Sequence, residues 1–404
     1  MHDTGIDAPA ATGAPRSTAL QGTAGVLALL SAWWVGFNLR SVLLGVPPVL
    51  GHLRDDLHLS YTAAGLVTSL PILMLGVLAL PGAALVRRRG AHRVVAAGLA
   101  LVALGAAARA LPGGAAPVYL GTVVLAAGIA VAQPGLPVML QSWFPGRVQR
   151  PSTLVTLGFI VGEVAAAGLT GPVVEPLAGW RGSFVVWAVP AVLALLAWLP
   201  VPAAQAEAAA VRRPLRPLLR SPLVWWVAVL FAAQSLVFFS ANTWVPSTVH
   251  GGSSSAAAAV DLTVLNFVML PVTLALAVTR RPFVRSRAFY VVASVAALTG
   301  AAGWMLAADS AGPLWALLMG GGTGATFAGL LAYPPSVAAP EDVAPFAGMM
   351  LTVGYVTAFL GPVLGGTARD LLHRQAAPFI PILVAAVAMV VASLRLPHPR
   401  GAGR

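Results

Sequence analysis

The sequence predicts an all-α membrane protein of twelve transmembrane helices arranged as two pseudo-symmetric six-helix bundles, and three observations carry that expectation. The 404-residue chain is 58% hydrophobic and 9% charged, with a mean hydropathy of +0.86, a balance at which a water-soluble domain of this size would aggregate. Apolar runs of about 20 residues recur along its length, each able to cross a hydrocarbon core of about 30 Å as a helix, the form lipid imposes because it offers the backbone no partners. The second half of the chain also repeats the first at an offset of about 195 residues.

Taken in order, the apolar runs place helices at 23–50, 60–86, 92–111, 116–144, 151–175, 181–201, 222–249, 256–279, 287–308, 313–339, 343–370 and 376–396. Turn chemistry separates them, as in "RRRGAHR", "LPGGAAP", "FPGRVQRP", "GGSSSA" and "APEDVAP". The polar stretch 1–22 reads as a disordered tail and not a signal peptide, since no positive cluster leads into a short apolar core. A linker at 202–221 divides the chain into bundles at 23–201 and 222–396, and 397–404 forms a second tail.

All 24 basic residues are arginine. With the N-terminus inside, 18 of them fall in inner segments and only Arg54, Arg109, Arg181, Arg369 and Arg374 in outer loops, which places both termini in the cytoplasm of a bacterial inner-membrane protein. The same bias explains the net charge of +12 without nucleic acid, whose basic footprint would be clustered on one face. The absence of lysine excludes a Walker A phosphate loop, and the absence of cysteine excludes thiolate catalysis and Cys-based metal sites. Histidines fall only in loops and tails, so no imidazole relay crosses the membrane.

The repeat is visible in paired segments. "TSLPILMLGV" from Thr68 matches "TVLNFVMLPV" from Thr263, "GIAVAQPGL" from Gly128 matches "GTGATFAGL" from Gly322, and "TLGFIVG" from Thr156 matches "TVGYVTA" from Thr352. Internal duplication of six spans is a signature of secondary transporters. Over essentially its whole length the chain resembles the major facilitator superfamily, and "GFNLRSVLLGVPPVL", "GIAVAQPGLPVMLQSWFPGRV" and "GWRGSFVVWAVPAVLALL" are similar to its cyanate permease and 2-nitroimidazole transporter branch. The resemblance implies a central cavity lined mainly by spans 1, 4, 7 and 10, and cyanate-like or nitroimidazole-like solutes. "LVRRRGAHRV" lacks the aspartate usual after span 2 of the family.

Arg40 is the one arginine placed within a span. A charge there costs roughly 2.5–3.5 kcal/mol on insertion scales, so it requires a wet or paired environment. Its planar fork suits two-point binding of a small anion, while the alternative is a structural pair with Glu163. Glu163 is read as the only carboxylate clearly buried in a span and as a candidate for reversible protonation in proton-coupled transport. Thr156, Phe159 and Glu163 share one helix face, and Gln234, Phe238 and Asn242 form a stripe on span 7. Arg40, Asn38, Gln133, Gln234, Phe238, Asn242, Asn266 and Tyr355 make up the candidate substrate-binding set, with Glu163 the proton-coupling candidate, against the alternative that isolated amides only hold helices together. The glycines of "MGGGTGATFAG" are read as close-packing residues and those of "GPVLGG" as shaping a bend.

The function that follows is a secondary transporter, monomeric and without cofactor or metal, moving a small anionic or polar solute by alternating access, with the proton as a possible coupling ion. The alternatives are a proton-coupled drug or metabolite efflux antiporter and, from another class, a non-transporting membrane sensor. No HExxH, paired aspartates or nucleophile elbow lies within a span to support an enzyme.

Overall fold

A computed structural model describes residues 20, 22–145, 147–203, 219–248, 255–278 and 283–397. The expected tails, apart from a few residues, and most of the 202–221 linker lie outside them. The first bundle contains α1 (Gly22–Leu44), α2 (Tyr61–Arg89), α3 (Ala91–Ala108), α4 (Ala115–Trp143), α5 (Gln149–Leu169) and α6 (Glu175–Trp198). The second contains α7 (Pro222–Trp244), α8 (Ala256–Phe267, continued by Met269–Val278), α9 (Arg287–Ala307), α10 (Ser310–Val337), α11 (Pro345–Leu372) and α12 (Phe379–Arg395). Ten helical segments among the described residues are long and apolar enough to cross a membrane; one of them, Arg150–Trp198, runs through both α5 and α6, and α12 is shorter.

Several expected spans are interrupted, and proline accounts for most of the interruptions. Its ring clashes with the carbonyl four residues earlier and it donates no N–H. In α8 the helix stops at Phe267, four residues before Pro271, and in α11 it stops at Ala358, four before Pro362. Pro172 lies in a π-helical turn, Thr170–Val174, that ends α5. Span 1 likewise ends at Leu44 instead of 50, where Gly45 and Pro47–Pro48 lead into a short helix, Leu50–Asp56. Gly179, at φ +68°, takes a positive-φ conformation that kinks the chain early in α6.

The two bundles pack by one pattern. α1 lies on α5, α2 on α4 and α3 on α6, just as α7 lies on α11, α8 on α10 and α9 on α12. Across the seam α2 meets α11 and α8 meets α5, a pair of contacts exchanged by the same pseudo-twofold relation. Glycines permit the close approaches: a Cβ at Gly162 would strike the Phe37 carbonyl of α1, and one at Gly320 the Leu265 carbonyl of α8.

The seam differs at its two ends. At the end bearing the α1–α2 connection, here the loop end, the Asp370 carboxylate of α11 accepts hydrogen bonds from the Tyr61 amide (2.9 Å), the Thr62 amide (2.8 Å) and the Thr62 hydroxyl (2.6 Å). Gly366 abuts the Tyr61 backbone, and Gly65 abuts the Pro362 carbonyl. The "GPVLGG" segment therefore does more than shape a bend: it seals α11 against α2. Two further hydrogen bonds join the bundles in this half, Thr62 Oγ1 with Thr367 Oγ1 at 3.1 Å and, deeper, Thr243 Oγ1 to Thr68 Oγ1 at 3.0 Å. Toward the terminal end, a cleft of about 670 Å³ opens between α5 and the α8 and α10 helices, lined by residues such as Leu157, Leu274 and Pro335.

Candidate functional site

A cavity of about 330 Å³ lies between the bundles, within the size range of small-molecule sites. α1 brings Arg40 to its wall, and α5 brings Thr156, Phe159 and Glu163, whose three- and four-residue spacing turns them to one side. The Arg40 Nε lies 3.6 Å from a Glu163 oxygen and its guanidinium 5.4 Å from the Phe159 ring centre. Arg40 and Glu163 are 8% and 5% exposed, so both charges are lined up at the cavity edge and otherwise removed from solvent. Arg40 Nε makes no hydrogen bond among the described residues, and 3.6 Å is too long for one. The contact is a loose ion pair, and it leaves the guanidinium fork available to a guest.

Opposite this pair, α7 contributes Gln234 and Phe238, α10 Phe327 and α11 Tyr355; Gln133, at the break before Pro134, completes the polar groups. Ser235 Oγ donates to Gln234 Oε1 at 3.0 Å, which orients the amide. Phe239 and Tyr355 meet edge to face at 6.3 Å, and Phe231 supports Tyr355 from behind at 5.6 Å. The result is an aromatic chamber with one cation, one carboxylate and two amides, suited to a small anion or a flat polar molecule.

Of the nine residues singled out in the sequence, Arg40, Gln133, Glu163, Gln234, Phe238 and Tyr355 stand on this wall. Asn38, Asn242 and Asn266 stand off it. Asn266 Nδ2 donates to Asn242 Oδ1 (2.8 Å) and to the Leu262 carbonyl (2.8 Å), and Asn242 Nδ2 donates to the Phe238 carbonyl (3.0 Å), so these two amides tie α7 to α8. Asn38 is fully buried. The α7 stripe is real, but it spans more depth than the chamber: Asn242, two turns from Gln234, reaches a separate crevice.

Two expectations about charge need correction. Glu163 is not the only buried carboxylate, since Asp261 in the second turn of α8 is 4% exposed. Nor is Arg40 the only buried arginine: Arg109, expected in an outer loop, is 1% exposed at the end of α3. Hydropathy cannot separate a terminal residue covered by neighbouring helices from one in water. Residues that the sequence did not single out include Ser235, Thr273 and Phe327 on the chamber wall and the Asp370 contacts of the seal. Among the described residues no three His, Asp or Glu side chains converge as a metal site.

The family model described as Major Facilitator Superfamily matches residues 24–362. A 2-nitroimidazole transporter of Escherichia coli (strain K12) is 29% identical over 388 residues, covering 94% of this chain and 97% of that protein. The cyanate transport protein CynX of the same organism is 27% identical over 342 residues, covering 83% and 88%. An uncharacterized transporter of Bacillus subtilis (strain 168), YycB, is 28% identical over 377 residues, covering 92% of each. Among solved structures, a bacterial homolog of the human lysosomal transporter Spinster, inward-facing and unoccupied, superposes with a TM-score of 0.77 at 16% identity over 93% of this chain and 98% of that one, a likeness of fold.

Proposed function

This chain belongs to the Major Facilitator Superfamily, and on that premise we propose that it is a secondary transporter carrying a small anionic or polar solute through the Arg40 chamber by alternating access. The observation that carries the reading is the loose Arg40–Glu163 pair on the wall of an aromatic cavity between two bundles. The solutes named for its relatives, cyanate and 2-nitroimidazole, are respectively a small anion and a flat polar ring, and both match that wall. The arginine bias makes the terminal end cytoplasmic, so the cavity here opens inward in a monomer of the bacterial inner membrane.

Glu163 supplies the coupling. An anion seated on Arg40 competes with the carboxylate for the same guanidinium. A proton taken up by Glu163 as the anion arrives keeps the chamber's charge constant, so solute and proton cross together without moving net charge. Gln133, Gln234 and Tyr355 orient the guest, and Phe159 and Phe238 cover its faces.

The test is uptake of labelled cyanate and of 2-nitroimidazole by proteoliposomes under an imposed pH gradient. Arg40→Gln is expected to weaken binding at least tenfold, about 1.4 kcal/mol. Glu163→Gln is expected to keep solute exchange but lose accumulation driven by the gradient. Unchanged affinity for every probe in Arg40→Gln overturns the reading. Accumulation of a bulky apolar probe against the opposite gradient would favour the efflux antiporter, the alternative that the aromatic lining supports.

A further inference from the structure

The fate of the second buried arginine is independent of that reading. Arg109 is 1% exposed, its Nε has no hydrogen-bond partner, and one terminal nitrogen donates to the Val42 carbonyl at 3.2 Å. The Phe184 ring lies 4.3 Å from its guanidinium carbon. None of the four ion pairs among the described residues includes it. A guanidinium removed from water without a counter-charge is strongly unfavourable, and one carbonyl with one ring face satisfies little of a five-donor fork.

Arg109 does face space. It lines a crevice of about 30 Å³ between the bundles, together with Thr68, Asn242 and Thr243. That volume accommodates a single water-sized species. Asn242 donates one N–H to the Phe238 carbonyl and its second finds no acceptor among the described residues, which adds a neutral donor at the crevice. Phe239 lines both this crevice and the main chamber. Leu43 and Leu44 lie three and four residues beyond Arg40, so the crevice begins about 5–6 Å past it along α1.

We propose that Arg109 is a second anion site, holding one halide-sized monovalent anion in the crevice between the chamber and the loop end. The anion supplies the counter-charge the fold omits. When the loop end parts, the same guanidinium faces the opening, one step before Arg40.

The experiment follows thermal unfolding of the purified full-length chain in sodium chloride against sodium gluconate at equal ionic strength. Chloride is expected to raise the native midpoint saturably by about 2–4 °C. Arg109→Gln should lose the response. So should Thr68→Met, which fills the crevice and leaves the guanidinium in place, and it carries the test if Arg109→Gln does not fold. Arg40→Gln should keep the response, which separates this site from the chamber. Equal native midpoints in the two salts overturn the proposal, as does a chloride response that survives both crevice variants or disappears only in Arg40→Gln. Flux of ³⁶Cl through proteoliposomes then distinguishes an anion in transit from a resident one; either upholds the site.

Discussion

The two ends of the seam between the bundles are closed and open for different chemical reasons. At the loop end a carboxylate from α11 sits on the first two amides of α2, glycines bring backbones into contact, and the Tyr61 ring lies 4.0 Å from the Arg54 guanidinium and 4.1 Å from that of Arg369. At the terminal end mostly apolar side chains face a cleft. Directional, charge-assisted bonds are either made or lost, so the loop end behaves as a latch with two positions. The apolar end has no such threshold. Its surfaces can approach or part with small changes in free energy at each step.

That contrast is best broken at Asp370. The chain contains no cysteine, so Ala64→Cys, at a position 1% exposed within the seal, reports opening by its labelling rate without background. Asp370→Ala removes three hydrogen bonds and the carboxylate on a helix N-terminus; we expect the closed state to lose about 2–3 kcal/mol and labelling to rise about 30- to 150-fold. Gly366→Val drives a side chain into the Tyr61 backbone, and overpacking of this kind costs about 1–3 kcal/mol, so a rise of about tenfold is expected. Thr62→Val keeps both amides but loses the hydroxyl, worth about 1 kcal/mol or about fivefold. Leu274→Ala, on the open cleft and 42% exposed, is expected to change labelling less than about twofold. Should Leu274→Ala match Asp370→Ala, the two ends are not chemically distinct and the latch is refuted.

The architecture was legible because its causes are written in single residues. Apolar runs marked the helices, the repeated segments marked the two bundles, and the breaks at Phe267 and Ala358 obey a proline rule that could have been applied to Pro271 and Pro362 in advance. Most of the chamber was legible too, since Arg40 and Glu163 are conspicuous in apolar surroundings and Phe159 shares a face with Glu163. The rest required a partner helix. Asn242 and Gln234 lie on one stripe, yet what each touches depends on how far along α7 the opposite bundle closes. Arg109 and Asp370 sit at helix ends, where composition reads as water and only the packing of α1, α2 and α6 against them says otherwise.

The latch is formed largely with main-chain donors, and heredity cannot edit those by ordinary substitution. The start of α2 could drift through many side chains while the grip of Asp370 on two N–H groups persisted, so a mutational survey of positions 61 and 62 would register side-chain losses such as the Thr62 hydroxyl and leave the amide clasp itself unseen. Proline is the exception. The first turn of a helix accepts it, so a proline at Thr62 would leave a well-formed protein that had lost one half of its amide clasp.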